Sequence, residues 1–408
     1  MIVNGFEQYN EVLNRMDGEY HLYIPVYSDL YYHPTENSVL LVGIVFEDII
    51  YVVSVAHEDA TKFDIRTTEF SILPDYSKAV LYAQGNTIPE IEKYYTNYVI
   101  DTHNRFGKMT NVNRVIPISL WASILERYAA NLPIEQPSKY QSTLINVLHE
   151  IEKSGLAVDE EILSQHFDDR TFRSFKGNLV YSQYNPFTST GRPSNRFGNI
   201  NFSALNKSDG SRDAFVSRYE NGTLVQMDFE AYHLRLIADE FNIYLPVDES
   251  LHETFAKIYF NTENITDELY NESKKKTFEI LYGITPNDYG IELFRSIRSF
   301  RGGFQNKNTV ELPSGISVEV DDPSPSKLFN YYVQSLEVVR TLPKLEKVLS
   351  LLDGTNNHLT LYTYDSILLD MESLDEEILE NVRAILTENN KFPIRTYTGC
   401  SYNNLQSV

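Results

Sequence analysis

Two apolar, strand-like runs that each deliver a lone aspartate constrain this chain more than any other feature. Thr223-Leu224-Val225-Gln226-Met227 leads to Asp228. Leu359-Thr360-Leu361-Tyr362-Thr363-Tyr364 leads to Asp365, then continues through Ser366 into Ile367-Leu368-Leu369. A carboxylate at the end of a strand is a hard oxygen ligand on a rigid support. Two such strands side by side make a site for a pair of Mg²⁺ ions roughly 3.5–4 Å apart, an arrangement that serves phosphoryl transfer. Taken singly, either aspartate would equally open a turn. The segments between them decide.

A chain of 408 residues is long enough for two or three domains and a sizeable core. An aromatic content of 13% argues against disorder. Cys400 is the only cysteine, which excludes an intrachain disulfide framework and fits a reducing compartment. The polar N-terminus shows no signal-peptide pattern, so a cytoplasmic location is expected. The most apolar stretch, Val39 to Ala56, is broken by Glu47 and Asp48 and predicts two strands rather than a membrane span. The formal charge of −22 excludes a protein that coats nucleic acid nonspecifically. It leaves room for a local basic groove: between Lys274 and Asn308, seven basic residues face three acidic ones.

Residues 20–56 are strand-rich, and helical patterns follow near 88–97 and 118–130, so the N-terminal part reads as α/β. Asn131 to Gln141, with Pro133 and Pro137, predicts a linker. A helix from about Ser142 carries Leu144, Leu148 and Ile151 on one face, with Gly155 at its C′ position and Asp159 poised to cap the next helix. From about 178 onward, strands and helices alternate without repeats.

Five segments follow in order: Thr190-Gly191-Arg192-Pro193-Ser194 with Asn199, Asn201 and Leu205 after it; Asp228-Phe229-Glu230-Ala231-Tyr232-His233-Leu234-Arg235; Lys274 to Gly283; Asn330 to Gln334; and Tyr364-Asp365-Ser366. Lys274, Phe278 and Tyr282 recur every four residues and share one helical face. The cation suits triphosphate oxygens, and the rings suit a base and sugar. Asn330 and Gln334 also share a face. Their amides suit the minor groove, whose acceptors are nearly the same for every base pair.

Together these segments resemble family A DNA polymerases, the group of bacterial DNA polymerase I, over roughly residues 140–408. The resemblance implies an α+β architecture: an antiparallel palm sheet backed by helices over 181–408, with fingers at about 240–310. It implies a DNA polymerase that adds dNTPs to a primer 3′-hydroxyl, with Asp228 and Asp365 binding two Mg²⁺ ions. Lys274 would hold the incoming triphosphate, Phe278 would lie against its sugar, and Tyr282 would close the nascent base-pair pocket. Arg192, Arg212, Asn330 and Gln334 would contact primer–template DNA, and Arg235 would support the active-site helix. His233 stands where the family has a glutamate that excludes ribonucleotides. Tyr364-Asp365-Ser366 stands for its H-D-E, and the arginine four residues before the motif lysine falls at Tyr270.

Only about thirty residues separate Asp159 from Thr190, where the family places a long thumb, so residues 131–180 read as linker, helices and a vestigial thumb. Low processivity follows, unless an accessory replication protein supplies the grip. Residues 1–130 resemble the 3′–5′ exonuclease domain, an RNase H-like α/β fold, in degenerate form. Asp29 remains there, Tyr31 replaces the glutamate, and Thr102 to Gly107 lacks the aspartate, so proofreading is not expected. The compact size suggests a phage or other mobile element as source. Two alternative readings remain: a ribonucleotide-tolerant or primase-like polymerase, motivated by His233, and a non-catalytic replisome scaffold.

Overall fold

The computed structural model describes residues 1–16, 22–27, 39–46, 49–54, 117–120, 122–123, 139–168, 177–182, 184, 188, 190–194, 200–283, 287–320, 322–388 and 391–408. The chain divides into two compact units. One comprises residues 1–149, 164–188 and 193–202; the other comprises 150–163, 189–192 and 203–408.

In the first unit, α1 (Phe6–Met16) precedes an antiparallel meander of β1 (Leu22–Tyr27), β2 (Val39–Phe46) and β3 (Ile49–Ser54). The two strands predicted around Glu47 and Asp48 are the β2–β3 hairpin, with Phe46 opposite Ile49. Asp29, Tyr31, Thr102 to Gly107, the helix near 88–97 and residues 131–138 lie outside the described residues. Of the helix near 118–130, residues 118–120 and 122–123 are helical and 124–130 lie outside them. The next helix, α2 (Lys139–Ser154), begins three residues before the expected Ser142 and buries Leu144, Leu148 and Ile151. Gly155 ends it at φ 65°, a conformation that glycine adopts without strain. After β4 (Leu156–Val158), Asp159 caps α3 (Glu160–His166), its Oδ1 accepting from the N–H groups of Glu161 and Ile162. The short strand β5 (Leu179–Val180) follows, while β4 and β6 (Phe215–Val216), which pair with each other, belong to the second unit.

In the second unit, β7 (Thr223–Phe229) runs into α4 (Tyr232–Glu240). Three more helices follow: α5 (Leu251–Phe260), α6 (Asp267–Leu281) and α7 (Glu292–Gly302). The hairpin of β8 (Thr309–Glu311) and β9 (Ser317–Glu319) leads to the long helix α8 (Pro325–Leu352). The chain closes with β10 (His358–Tyr362), β11 (Ser366–Met371), α9 (Glu376–Thr387), β12 (Ile394–Gly399) and β13 (Gln406–Ser407). One antiparallel sheet, in the order β10-β11-β7-β12-β13, forms the base of this unit. α8 packs on β10 and α9, and α9 packs on β12. Leu234, Phe255, Leu281, Phe294 and Phe329 bring α4 through α8 into one core. Among the described residues, no helix is long and apolar enough to cross a membrane.

The run from Leu359 to Leu369 is not one strand ending in a carboxylate, as the apolar pattern suggests. It is a hairpin. Tyr362 faces Ile367, the Thr363 N–H donates to the Ser366 carbonyl at 2.8 Å, and Tyr364 turns the chain at φ 71°. Asp365 therefore stands in the turn before β11.

Candidate active site

The pleat of β7 explains why Asp228 is available. Val225, Met227 and Phe229 are buried on one face, while Gln226 and Asp228 point to the other and are only partly covered. Asp228 faces Ser366 across the ladder, and the Phe229 N–H donates to the Asp365 carbonyl at 2.8 Å. Register thus brings the two aspartates to one end of the sheet. Both line a cavity of about 400 Å³ together with Arg192, His233, Lys274, Phe278 and Tyr282.

Burial, and then the charge of Asp365, push the Asp228 carboxyl up to about 7. Burial and the charge of Glu337 also raise Asp365. Among the described residues, no donor hydrogen-bonds the Asp228 carboxylate. Two crowded carboxylates, Asp228 without a hydrogen-bond donor among the described residues and Asp365 with a backbone N–H, fit a hard cation. The described residues contain no group of three or more acidic, His or Cys side chains able to form an all-protein cage. That donor set suits Mg²⁺, which binds through one or two carboxylates and leaves its remaining positions to water and phosphate oxygens.

Opposite the aspartates stands α6. Thr266 caps its start, accepting from the Leu269 N–H. Arg301 closes its end, donating to the Ile280 and Leu281 carbonyls at 3.1 and 3.0 Å. Gly283 follows at φ 79°, with the Arg301 guanidinium packed where a Cβ would sit. Ser273, Thr277, Ile280 and Leu281 bury one side of α6, which leaves Lys274, Phe278 and Tyr282 along the other. Phe278 is 43% exposed, which sets it apart from an ordinary core residue. Its ring stacks parallel to that of Tyr282 at 6.3 Å.

His233, on the first turn of α4, contacts the Tyr282 hydroxyl through Nδ1 at 3.1 Å and Glu337 Oε2 through Nε2 at 3.3 Å. A carboxylate beside Nε2 favours a proton there and leaves Nδ1 to accept. Burial pushes the Tyr282 phenol up to about 12, so it keeps the proton that it donates. Glu337 is fully buried on α8, and its second partner is Arg192, with Nε 2.6 Å from Oε2. Arg192 also donates from Nη2 to Glu337 Oε1 at 3.4 Å, whereas the two approaches to Oε2 are close without being aligned as linear hydrogen bonds. Burial alone would raise Glu337; His233 and Arg192 outweigh it and hold the carboxyl below its ordinary value. The Arg192 guanidinium also lies 3.6 Å above the Tyr364 ring, pinning the positive-φ residue next to Asp365. Such a conformation costs a bulky residue about 1–3 kcal/mol.

Other expected site residues are placed differently. Asn330 and Gln334 share a face of α8, the Gln334 amide donating to Asn330 Oδ1 at 3.3 Å, but neither lines the cavity; Glu337, one turn later, does. Arg212 is 8% exposed and outside the cavity lining. Its guanidinium donates to the Leu205 carbonyl from Nε and Nη2 and lies over the Tyr402 ring. Arg235 pairs with Glu230 at 2.6 Å and donates to the Pro246 carbonyl, while Glu230 accepts from the Leu251 N–H. It ties α4 to the start of α5. Asn199 lies outside the described residues.

Sequence reasoning missed Glu337, Glu230, Lys207 and Arg395 at this site. Glu337 carried a signal, standing three residues after Gln334 on the same helical face. Glu230, two residues after Asp228, carried another. Lys207 and Arg395 carried none.

No family model and no curated protein matches this sequence. Among solved structures, the chain is similar to the POL domain of Pol1 from M. smegmatis in complex with DNA primer-template and dNTP. The TM-score is 0.65 at 12% identity, over 99% of this chain and 100% of that one. At that identity the likeness is one of fold: the chain has the mixed helix-and-sheet fold of a DNA polymerase domain.

Proposed function

We propose that this protein is a template-directed DNA polymerase of the family A type, extending a primer 3′-hydroxyl with dNTPs. The observation that carries the reading is the juxtaposition of Asp228, opposite Ser366 in the ladder, with the neighbouring Asp365 at a cavity faced by the Lys274–Phe278–Tyr282 stripe of α6. Asp228 and Asp365 would hold two Mg²⁺ ions. When bound, the metals supply a lowered pKa at the primer hydroxyl and charge neutralisation at the leaving pyrophosphate. Lys274 holds triphosphate oxygens, Phe278 meets the sugar, and Tyr282 closes the base-pair pocket. His233 fixes the Tyr282 hydroxyl and stands beside the sugar C2′. Arg192, Asn330 and Gln334 serve primer–template DNA near its terminus. Arg212 acts indirectly, by bracing the loop at Leu205 against Tyr402.

The N-terminal residues are proposed to be a degenerate exonuclease-like domain without proofreading. The short stretch between Asp159 and Thr190, together with the charge of −22, supports a distributive enzyme whose grip depends on an accessory replication protein in the cytoplasm. A scaffold without catalysis is opposed by the crowded aspartates, which cost stability unless they serve a cation. The test is primer extension with Mg²⁺ on a defined template. Template-dependent products that disappear in Asp228→Asn support the proposal; a wild-type protein that extends no primer refutes it.

A further inference from the structure

Arg395 was not singled out by any sequence motif, yet strand register sets it beside the aspartates. β12 pairs with β7 so that Arg395 lies directly opposite Asp228. Directly opposed residues of an antiparallel pair project from the same face of the sheet. The Arg395 guanidinium nonetheless makes no ion pair with a carboxylate among the described residues. It is held by phenols: Nη2 donates to the Tyr270 hydroxyl at 3.2 Å, and Tyr397 is its second hydrogen-bonding partner. The ring of the same Tyr270 lies under the Lys274 ammonium at 5.7 Å. Lys207 lines the same cavity. Lys207, Lys274 and Arg395 are thus three exposed cations around one cavity; the charge of each acts on Asp228, and none forms an ion pair among the described residues.

The axis of α6 sets an order. Tyr282, Phe278, Lys274 and Tyr270 follow one another at steps of about 6 Å. Under the polymerase reading, base, sugar and first phosphates occupy the first three steps. The distal phosphates then extend toward Tyr270, where α6 itself offers no cation. We propose that Arg395, oriented by Tyr270, is a phosphate-binding residue for the distal end of the incoming triphosphate. The sheet thereby supplies a charge that the helix lacks. The ligand is a triphosphate chain, and Tyr270 is the positioning residue.

This assignment rests on the polymerase reading for its order of groups, and the experiment separates the two. Mg²⁺-dATP and Mg²⁺-tripolyphosphate are titrated calorimetrically into wild type, Arg395→Ala, Arg395→Lys and Tyr270→Phe. Primer–template affinity is followed in parallel by fluorescence anisotropy. Arg395→Ala should weaken both triphosphates about tenfold, the cost of one lost charge-assisted contact. Arg395→Lys should recover part of the loss, Tyr270→Phe should fall between, and primer–template affinity should stay unchanged. Unchanged triphosphate binding in Arg395→Ala, or no tripolyphosphate binding by wild type, overturns the assignment. So does a loss confined to primer–template affinity, which would place Arg395 on the DNA backbone. If wild type extends no primer yet loses tripolyphosphate binding with Arg395→Ala, the phosphate site stands and the polymerase reading falls.

Discussion

Two aspartates at opposite ends of the β7–β11 ladder have opposite fates. Asp370 faces Leu224 and is fully buried. Ser217 donates to its Oδ1 at 2.6 Å and Arg218 Nε to its Oδ2 at 2.8 Å, and Arg218 also donates to the carbonyls of Ser154 and Gly155. Asp228, four residues further along the ladder, has no such donor among the described residues, and its carboxyl is pushed up to about 7. A buried charge with partners belongs to the architecture. A crowded charge without them stores unfavourable energy that a bound cation relieves. The same distinction divides the arginines: Arg212 and Arg218 are committed to internal oxygens, whereas among the described residues Arg395 hydrogen-bonds to phenols.

The largest expected effect tests that contrast directly. Asp228→Ala and Asp365→Ala should each lower Mg²⁺-dependent primer extension by orders of magnitude while leaving the thermal unfolding profile close to wild type. Asp370→Ala should invert the pattern. Loss of a buried partner costs about 3–5 kcal/mol, visible as a lower urea midpoint, with activity retained in the folded fraction. If Asp370→Ala abolishes extension without destabilising the protein, the division between architectural and catalytic carboxylates fails.

A smaller effect is expected at the sugar. His233 is held between Glu337 and Tyr282, and in the proposed polymerase its imidazole would block the space beside C2′. Deoxynucleotides should be preferred, and His233→Ala should admit ribonucleotides much more readily. The measurement is the ratio of incorporation efficiencies for matched dNTP and rNTP. An unchanged ratio would remove His233 from the sugar side of the pocket.

The smallest effect concerns pH in the metal-free protein. The Asp228 pKa rises on folding from 3.8 to about 7, so the folded state binds the proton more tightly than the unfolded state. Its contribution to stability is therefore present below the lower value and is lost as pH rises through the upper one. Asp228→Asn should melt higher than wild type above pH 7 and match it at low pH, and Mg²⁺ should raise the melting temperature of wild type alone. A metal-free difference that grows toward low pH would reverse the assigned sign.

Much of the site was legible in the chain. Apolar runs located Asp228 and Asp365, and four-residue spacing placed Lys274, Phe278 and Tyr282 on one face, because helical and strand periods are local properties. The turn at Tyr364 was not legible: apolar residues continue through it, and only a positive φ marks it. Gly155 and Asp159 were legible as a helix end and a cap, since both act within a few residues.

By itself, the sequence determined the local elements, the order of the motifs and the side-chain types that each motif presents. Tertiary structure alone decided which charges meet. Asp370 meets Arg218, Glu337 meets Arg192 and His233, and Arg395 lies opposite Asp228 without ion-pairing, through contacts that span more than a hundred residues in each case. Strand register and helix packing fix those meetings, and neither is written in the spacing of any single segment.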